Sequence, residues 1–436
     1  MKKRIKIITE HPLIAGSAVI FFGSFFGNIF NFIFNFVMTR YLLSSSEYGI
    51  LASLTSLFTL SSQPVGAVVP TLVYFSASYF AKKDFDRVRG LFLKVTKPSL
   101  FIGMIVFIAY ILSAKQIASF LNIPNHSFIL IIAFMVFMGF IGIANQPLLQ
   151  AKMAFSFIAF SSTLGSFLRL AFGVLFVLLG FSVGGVVWAV FIGGLVPYLL
   201  SFIPLSFLLQ RGINMPHVSF KSLFNYGIPA TLATFGLTLF INTDILLVKH
   251  FFAPEPAGLY ATLSLIGKVI FFFSAPITMV MFPLVVQKHT KHENYHGVFR
   301  LSLLLVFISS IAIVAFYFLF PAFVISIFSK NQSAILLAPY LGLFGIFITI
   351  YSLLMVLNNF YLSINKTKVF LPILITAGLQ ALLIWFYHKT FLDIILISLS
   401  MVSLLLVILL LYYWKLTAGE KSAMLDVYDT KTKKHK

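Results

Sequence analysis

Arg169, Asp244 and Lys268 are formal charges inside otherwise apolar stretches of the chain. A charged side chain near mid-bilayer costs roughly 3 kcal/mol or more, so each marks a place where the chain meets water, a counter-charge or a ligand. Arg169 lies about midway along the run 156–179, which contains no acid. Its planar guanidinium matches a phosphate through two parallel hydrogen bonds. Lys268 lies in the run 259–285, and Asp244 near the end of the run 222–248. Two arrangements are open for this pair. They form an ion pair with each other, or Lys268 holds a phosphate while Asp244 titrates or binds a cation. Two cations against one anion favour an anionic ligand.

A polar stripe adds to these charges. Ser24, Asn28, Asn31 and Asn35 recur at steps of four, three and four in a Phe/Ile-rich run, which places them on one helical face. Amides are costly in lipid, so this face bonds neighbouring helices or lines a cavity, and both readings stay open. Thr231, Thr234, Thr238 and Asn242 repeat the device later. The loop Arg40–Gly49, followed by Ile-Leu-Ala-Ser-Leu, returns 209 residues on as Lys249–Gly258, followed by Leu-Tyr-Ala-Thr-Leu. Arg40 thus pairs with Lys249, Asn35 with Asp244, and Gly49 with Gly258. Asn145–Lys152 and Asn358–Lys366 pair at an offset near 213, so the repeat extends past its first two helices. Arg40 and Lys249 suit the membrane interface as anchors. Arg40 also joins Arg169, Lys268, Asn28, Asn31 and Asn35 in the candidate substrate-binding set.

The elements that must position these residues follow from composition. Of 436 residues, 60% are hydrophobic and 10% charged, against roughly 25% charged in a soluble domain. A spanning helix needs about 20 apolar residues. Twelve such runs are present: 13–38, 48–69, 91–113, 127–149, 156–179, 182–208, 222–248, 259–285, 300–320, 334–357, 369–388 and 391–414. Lipid cannot satisfy exposed backbone, and runs of this length form helices. The expected class is an all-α integral membrane protein of twelve transmembrane helices. The first run is too long for a signal-peptide core and is expected to remain as a span.

Two parallel six-helix lobes are expected, because an even number of spans starts both halves on the same side. The division is 1–208, a linker 209–221, a second lobe 222–414 and a basic tail 415–436. Pro64, Pro70 and Pro276 are expected to kink their helices. The net charge is +20. With the N-terminus inside, 24 of the 31 Lys and Arg fall on the inner side, against Arg40, Lys115, Lys249, Lys330 and Lys389 outside. This positive-inside bias places both termini in the cytoplasm and explains the basic charge without a nucleic-acid partner.

Several chemistries are excluded or disfavoured. The chain has no cysteine, so no disulfide and no thiolate metal site. His289, His292 and His296 share a helical face, but no acid or cysteine completes a metal set. Glu47, Glu255 and Asp393 are scattered over short outer loops, which is a poor basis for acid–base catalysis. No phosphate-gripping Gly-rich Lys motif is present. No catalytic residue, metal or organic cofactor is expected, and the chain reads as a non-enzyme. Asp244 is the candidate for coupling to H+ or Na+.

The segment Thr39–Gly49 resembles the end of the first helix in the oligosaccharide flippases of the polysaccharide transporter family, within the multidrug/oligosaccharidyl-lipid/polysaccharide superfamily. Leu149–Ser156, Asn358–Lys368 and Gly258-Leu-Tyr-Ala are similar as well. The resemblance implies two lobes in a V around a central cavity and alternating access, with the first, second, seventh and eighth helices lining and moving. It implies a polyprenyl-(pyro)phosphate-linked glycan as substrate, carried from the inner to the outer leaflet of the cell membrane. Membrane lipids and polysaccharide-assembly proteins are the implied partners. The superfamily's lipid-II flippases usually have fourteen spans and several cavity arginines near the first helix. Here there are twelve runs, and Arg40 lies at the outer rim. The alternative of the same fold is a cation-coupled multidrug or organic-cation exporter. Such exporters need cavity acids, for which Asp244 is the candidate.

Overall fold

The computed structural model describes residues 26–66, 72–73, 75–76, 79–80, 82–209, 220–290 and 293–433. Every regular element among them is helical. The first half contains α1 (26–37), which passes into a π-turn at Met38–Leu42, then α2 (Ser45–Gly66), α3 (Phe85–Phe120), α4 (Ser127–Ile141), the short α5 (Asn145–Ala151), α6 (Phe155–Leu178) and α7 (Ser182–Leu200). The second half contains α8 (Phe220–Phe240), α9 (Thr243–Phe251), α10 (Pro254–Thr290), α11 (His296–Leu319), α12 (Pro321–Phe328), α13 (Ala338–Ser363), α14 (Phe370–Phe386) and α15 (Phe391–Lys433).

Among the described residues, eight helices are long and apolar enough to cross a membrane, and α8 with α9 adds a ninth if the pair counts as one bent span. The first apolar run begins outside the described residues, as do Ser24 and Pro70. The runs around 48–69 and 259–285 are occupied by α2 and α10. Both stay helical through positions 64 and 276. Between α8 and α9 the axis turns by 41°. Thr231, Thr234 and Thr238 each donate a hydroxyl to the carbonyl four residues back, and the Asn242 amide donates to the Thr238 carbonyl at 2.8 Å. Such back-bonding competes with the helix ladder and favours bending.

Lipid tails are as apolar as leucine, so close packing and polar contacts, rather than hydrophobic burial, hold the helices together. Leu100, Phe101, Ile105, Ile108 and Leu112 on α3 and Leu301, Leu304, Ile308 and Ile311 on α11 face outward. A belt of this kind suits hydrocarbon and would aggregate a protein in water. At the other extreme, α13 is the most enclosed apolar helix and packs against α10, α11 and α15.

The two halves meet chiefly where α2 lies along α10. Contacts between them concentrate at the end that carries the two repeated loops, termed the Arg40 end. The opposite end carries Lys152. At the Arg40 end Ser44 and Glu47 form a capping box, with Glu47 accepting from the Ser44 amide and hydroxyl and Ser44 Oγ accepting from the Glu47 amide at 3.3 Å. Arg40 Nη1 donates to the carbonyls of Ser326 and Ile327 at the C-terminal end of α12, where the helix dipole favours a cation. Asn122 donates to the carbonyls of Lys249 and His250 at 3.2 and 2.7 Å. Asn331 donates to Ser45 Oγ at 3.1 Å.

Candidate functional site

A cavity of about 760 Å³ lies within the first half, walled by α1, α2, α4, α5, α6 and α7. The expected location between the halves does not describe it, since all its walls precede residue 202. Close packing of α6 on α7 shapes one wall. A β-carbon on Gly165 would meet the Gly193 carbonyl oxygen at 2.5 Å, and one on Gly193 would meet that of Gly165 at 2.7 Å. Two larger residues here would separate the helices. Gly193 also lies close to Arg169, whose Cβ an added β-carbon would meet at 3.1 Å.

Arg169 lines the cavity beside Asn31, Ser162 and Ser166. Its Nη1 donates to Asn31 Oδ1 at 3.3 Å, and its guanidinium lies 4.1 Å from the centre of the Phe34 ring. Its Nε is buried without a hydrogen-bond acceptor. Among the described residues ion pairs join Arg87 to Asp84 and Lys288 to Glu293, and Arg169 has no carboxylate within 4.0 Å. Among the described residues no acidic side chain lines the cavity. An amide, a ring face and an unmet N–H leave the positive charge incompletely compensated, an arrangement that an anionic group completes.

The polar stripe on α1 divides. Asn31 faces α6 and donates to Ser166 Oγ at 3.1 Å, in line with both roles open from the sequence, since it bonds a neighbouring helix and lines the cavity. Asn35 turns back on its own helix and donates to the Asn31 carbonyl at 2.8 Å. Asn28 is exposed. Arg40 sits at the rim, far from the cavity lining, on the end of α12.

Asp244 and Lys268 lie in the second half, away from the cavity walls. Asp244 is fully buried in the first turn of α9. Its Oδ2 accepts from the Tyr260 hydroxyl at 2.9 Å and its Oδ1 from the Ile245 amide at 2.8 Å. Lys268 attracts it through space, but no ion pair within 4.0 Å joins them. The direct pair was one of two arrangements expected; the hydroxyl of Tyr260 on α10 meets the carboxylate instead. Lys249, expected as an interfacial anchor, is 1% exposed, and its ammonium has no hydrogen-bond acceptor.

The cavity continues toward the Lys152 end along Asn145, Gln146, Gln150, Tyr198 and Ser201. These were not in the sequence-derived set. Their signal was available, since three amides in six residues interrupt an apolar segment, but it had been read only as a mark of the internal repeat.

Among the described residues, a guanidinium without a carboxylate partner thus lines a largely apolar cavity inside a bundle of membrane-length helices. Solved structures show the same fold at low identity. An inward-facing multidrug resistance MATE family transporter of the MOP superfamily superposes with a TM-score of 0.71 at 13% identity, covering 90% of this chain and 96% of that one. The lipid II flippase MurJ in an inward closed conformation gives 0.69 at 13% identity, with 91% and 87% covered. An outward-facing MATE family transporter gives 0.65 at 15%, with 94% and 96% covered. Residues 37–334 match the family described as polysaccharide biosynthesis protein, and the chain belongs to that family. No curated protein sequence matches it.

Proposed function

We propose that this protein is a flippase for a polyprenyl-(pyro)phosphate-linked glycan, turning it from the inner to the outer leaflet by alternating access during polysaccharide assembly. The observation that carries this reading is Arg169, a buried guanidinium that, among the described residues, has no carboxylate partner and no acid beside it on the cavity wall. Membership of a polysaccharide biosynthesis family and a fold shared with a lipid II flippase support a lipid-linked substrate. The absence of acids among the described residues of the cavity lining argues against an organic cation as cargo.

In this reading twelve helices form two six-helix lobes in the plasma membrane, with both termini in the cytoplasm. Lys-rich loops orient the Lys152 end inward. The bonds at the Arg40 end then close the outer side, and the cavity receives its ligand from the cytoplasm. The phosphates meet Arg169 and Asn31, while the polyprenyl tail stays in lipid. Asn28, Asn35 and Lys268 act at later stages of the passage, and Arg40 serves the outer gate. Asp244 couples the cycle to H+ or Na+, supported by its place at a break in a spanning helix.

The test is a flipping assay with purified protein in liposomes and a fluorescent polyprenyl-pyrophosphate glycan. Wild type should equilibrate the lipid between leaflets, and Arg169→Ala should not, with both folded by circular dichroism. A wild type that leaves the lipid in place but exchanges an organic cation in an Asp244-dependent manner would replace the flippase with the exporter.

A further inference from the structure

The end of the cavity nearest Lys152 is built differently from the end at Arg169. Asn145 is 3% exposed. Its Nδ2 donates to Ser201 Oγ at 2.7 Å, and Ser201 Oγ donates in turn to the Tyr198 carbonyl at 2.5 Å. This chain sets the orientation of the amide. It leaves Asn145 Oδ1 buried without a donor on the cavity wall. Buried acceptors are nearly always satisfied, so an unmet one in a wall is a place for a ligand's donor. Gln146 and Gln150, spaced one helical turn apart on α5, expose two further amides along the same wall.

We propose that Asn145, Gln146 and Gln150 form a second subsite, for hydroxyl-rich sugar units, separate from the phosphate-binding end at Arg169. The proposal rests on the reading of Arg169 as the phosphate contact. An amide offers both a donor and an acceptor, as a sugar hydroxyl does, and three amides give directional recognition without charge. The spacing fits one extended ligand. Gly193 touches Arg169, and Ser201 follows eight residues later at the end of α7. At 1.5 Å rise per residue the two ends are separated by about 12 Å. A phosphate alone cannot span that distance, whereas a phosphate bearing a saccharide can. The sugar end faces the cytoplasm and the phosphate end lies deeper, so the charged group enters first and the glycan fills the space behind it.

The experiment measures binding to purified full-length protein in lipid nanodiscs with two probes. One is a polyprenyl pyrophosphate, and the other is the same lipid bearing a neutral disaccharide. The exposed Gln146 and Gln150 are changed together to Ala, which leaves the packed core untouched, and Asn145→Leu is the second variant. Wild type should bind the glycosylated probe more tightly than the bare one. The Gln146→Ala/Gln150→Ala double variant should bind the glycosylated probe about tenfold more weakly, the scale expected from two lost neutral hydrogen bonds, and the bare probe as before. Arg169→Ala should weaken both probes alike. Equal affinity of wild type for the two probes, or equal weakening of both by the glutamine changes, overturns the sugar subsite while leaving the phosphate reading intact. Failure of wild type to bind either probe overturns both.

Discussion

Gly49 and Gly258, the equivalent glycines of the internal repeat, lie against each other across the two halves of the chain. A β-carbon on Gly49 would fall 2.9 Å from the Gly258 nitrogen, and one on Gly258 would fall 1.5 Å from the Ser45 carbonyl oxygen. The repeat is thus expressed as contact: the same position from each half meets its counterpart at the Arg40 end. Backbone lies on backbone, so neither side can yield by changing a rotamer. Gly258→Ala is expected to separate α2 from α10 at this end and to destabilise the closed form by about 1–3 kcal/mol, the range for overpacking. The check is thermal unfolding in detergent beside solvent accessibility of a reporter at Ser45.

Locking the same end should stop the cycle. The chain contains no cysteine, so a pair can be introduced without background. Asn331 donates to Ser45 at 3.1 Å, which makes Ser45→Cys with Asn331→Cys the natural choice. Oxidation is expected to abolish flipping and reduction to restore it. Unchanged flipping in the oxidised protein would show that this end does not open during transport.

Arg169 is expected to oppose stability while supporting function. Its guanidinium is held by Asn31 and the Phe34 ring without a carboxylate. Replacing a poorly compensated buried charge by an apolar group commonly stabilises, by about 1–4 kcal/mol. Arg169→Met should therefore raise the unfolding temperature and remove phosphate-dependent binding. Arg169→Lys keeps the charge but loses the planar fork, so it should bind more weakly than wild type and more tightly than Arg169→Met. Loss of stability in Arg169→Met would mark the residue as a structural tie.

Tyr260 supplies the hydroxyl that meets the buried Asp244 carboxylate. Tyr260→Phe leaves that oxygen without its donor and should cost about 1–3 kcal/mol. Asp244→Asn keeps an acceptor for the hydroxyl and should fold. If Asp244 couples transport to a cation, the Asn variant should lose the dependence of flipping on an H+ or Na+ gradient while retaining substrate binding. A gradient dependence that survives the change would remove Asp244 from coupling.

Hydropathy and charge bias sufficed to establish a helical membrane protein, because the cost of exposing backbone or charge to lipid is paid residue by residue and needs no knowledge of neighbours. The same reasoning made Arg169 legible as a residue that avoids lipid, and the 209-residue offset made the Gly49–Gly258 correspondence legible before any contact was known. Which groups meet could not be read in this way. Asn31 and Asn35 share a helical face, yet Asn31 bonds Ser166 across to α6 and Asn35 bonds its own helix. Asp244 has the charge to pair with Lys268 but takes the Tyr260 hydroxyl. The cavity lies inside the first half, where Gly165 and Gly193 let α6 and α7 pack closely, and its lining sets Gln146 and Gln150 in the same cavity as Arg169. Partner choice depends on helix rotation and crossing, which pairwise packing of small residues decides in a solvent that gives no hydrophobic guidance between helices. The sequence by itself determined the class, the repeat and the places where charge must be hidden; the tertiary structure decided which neighbours hide it.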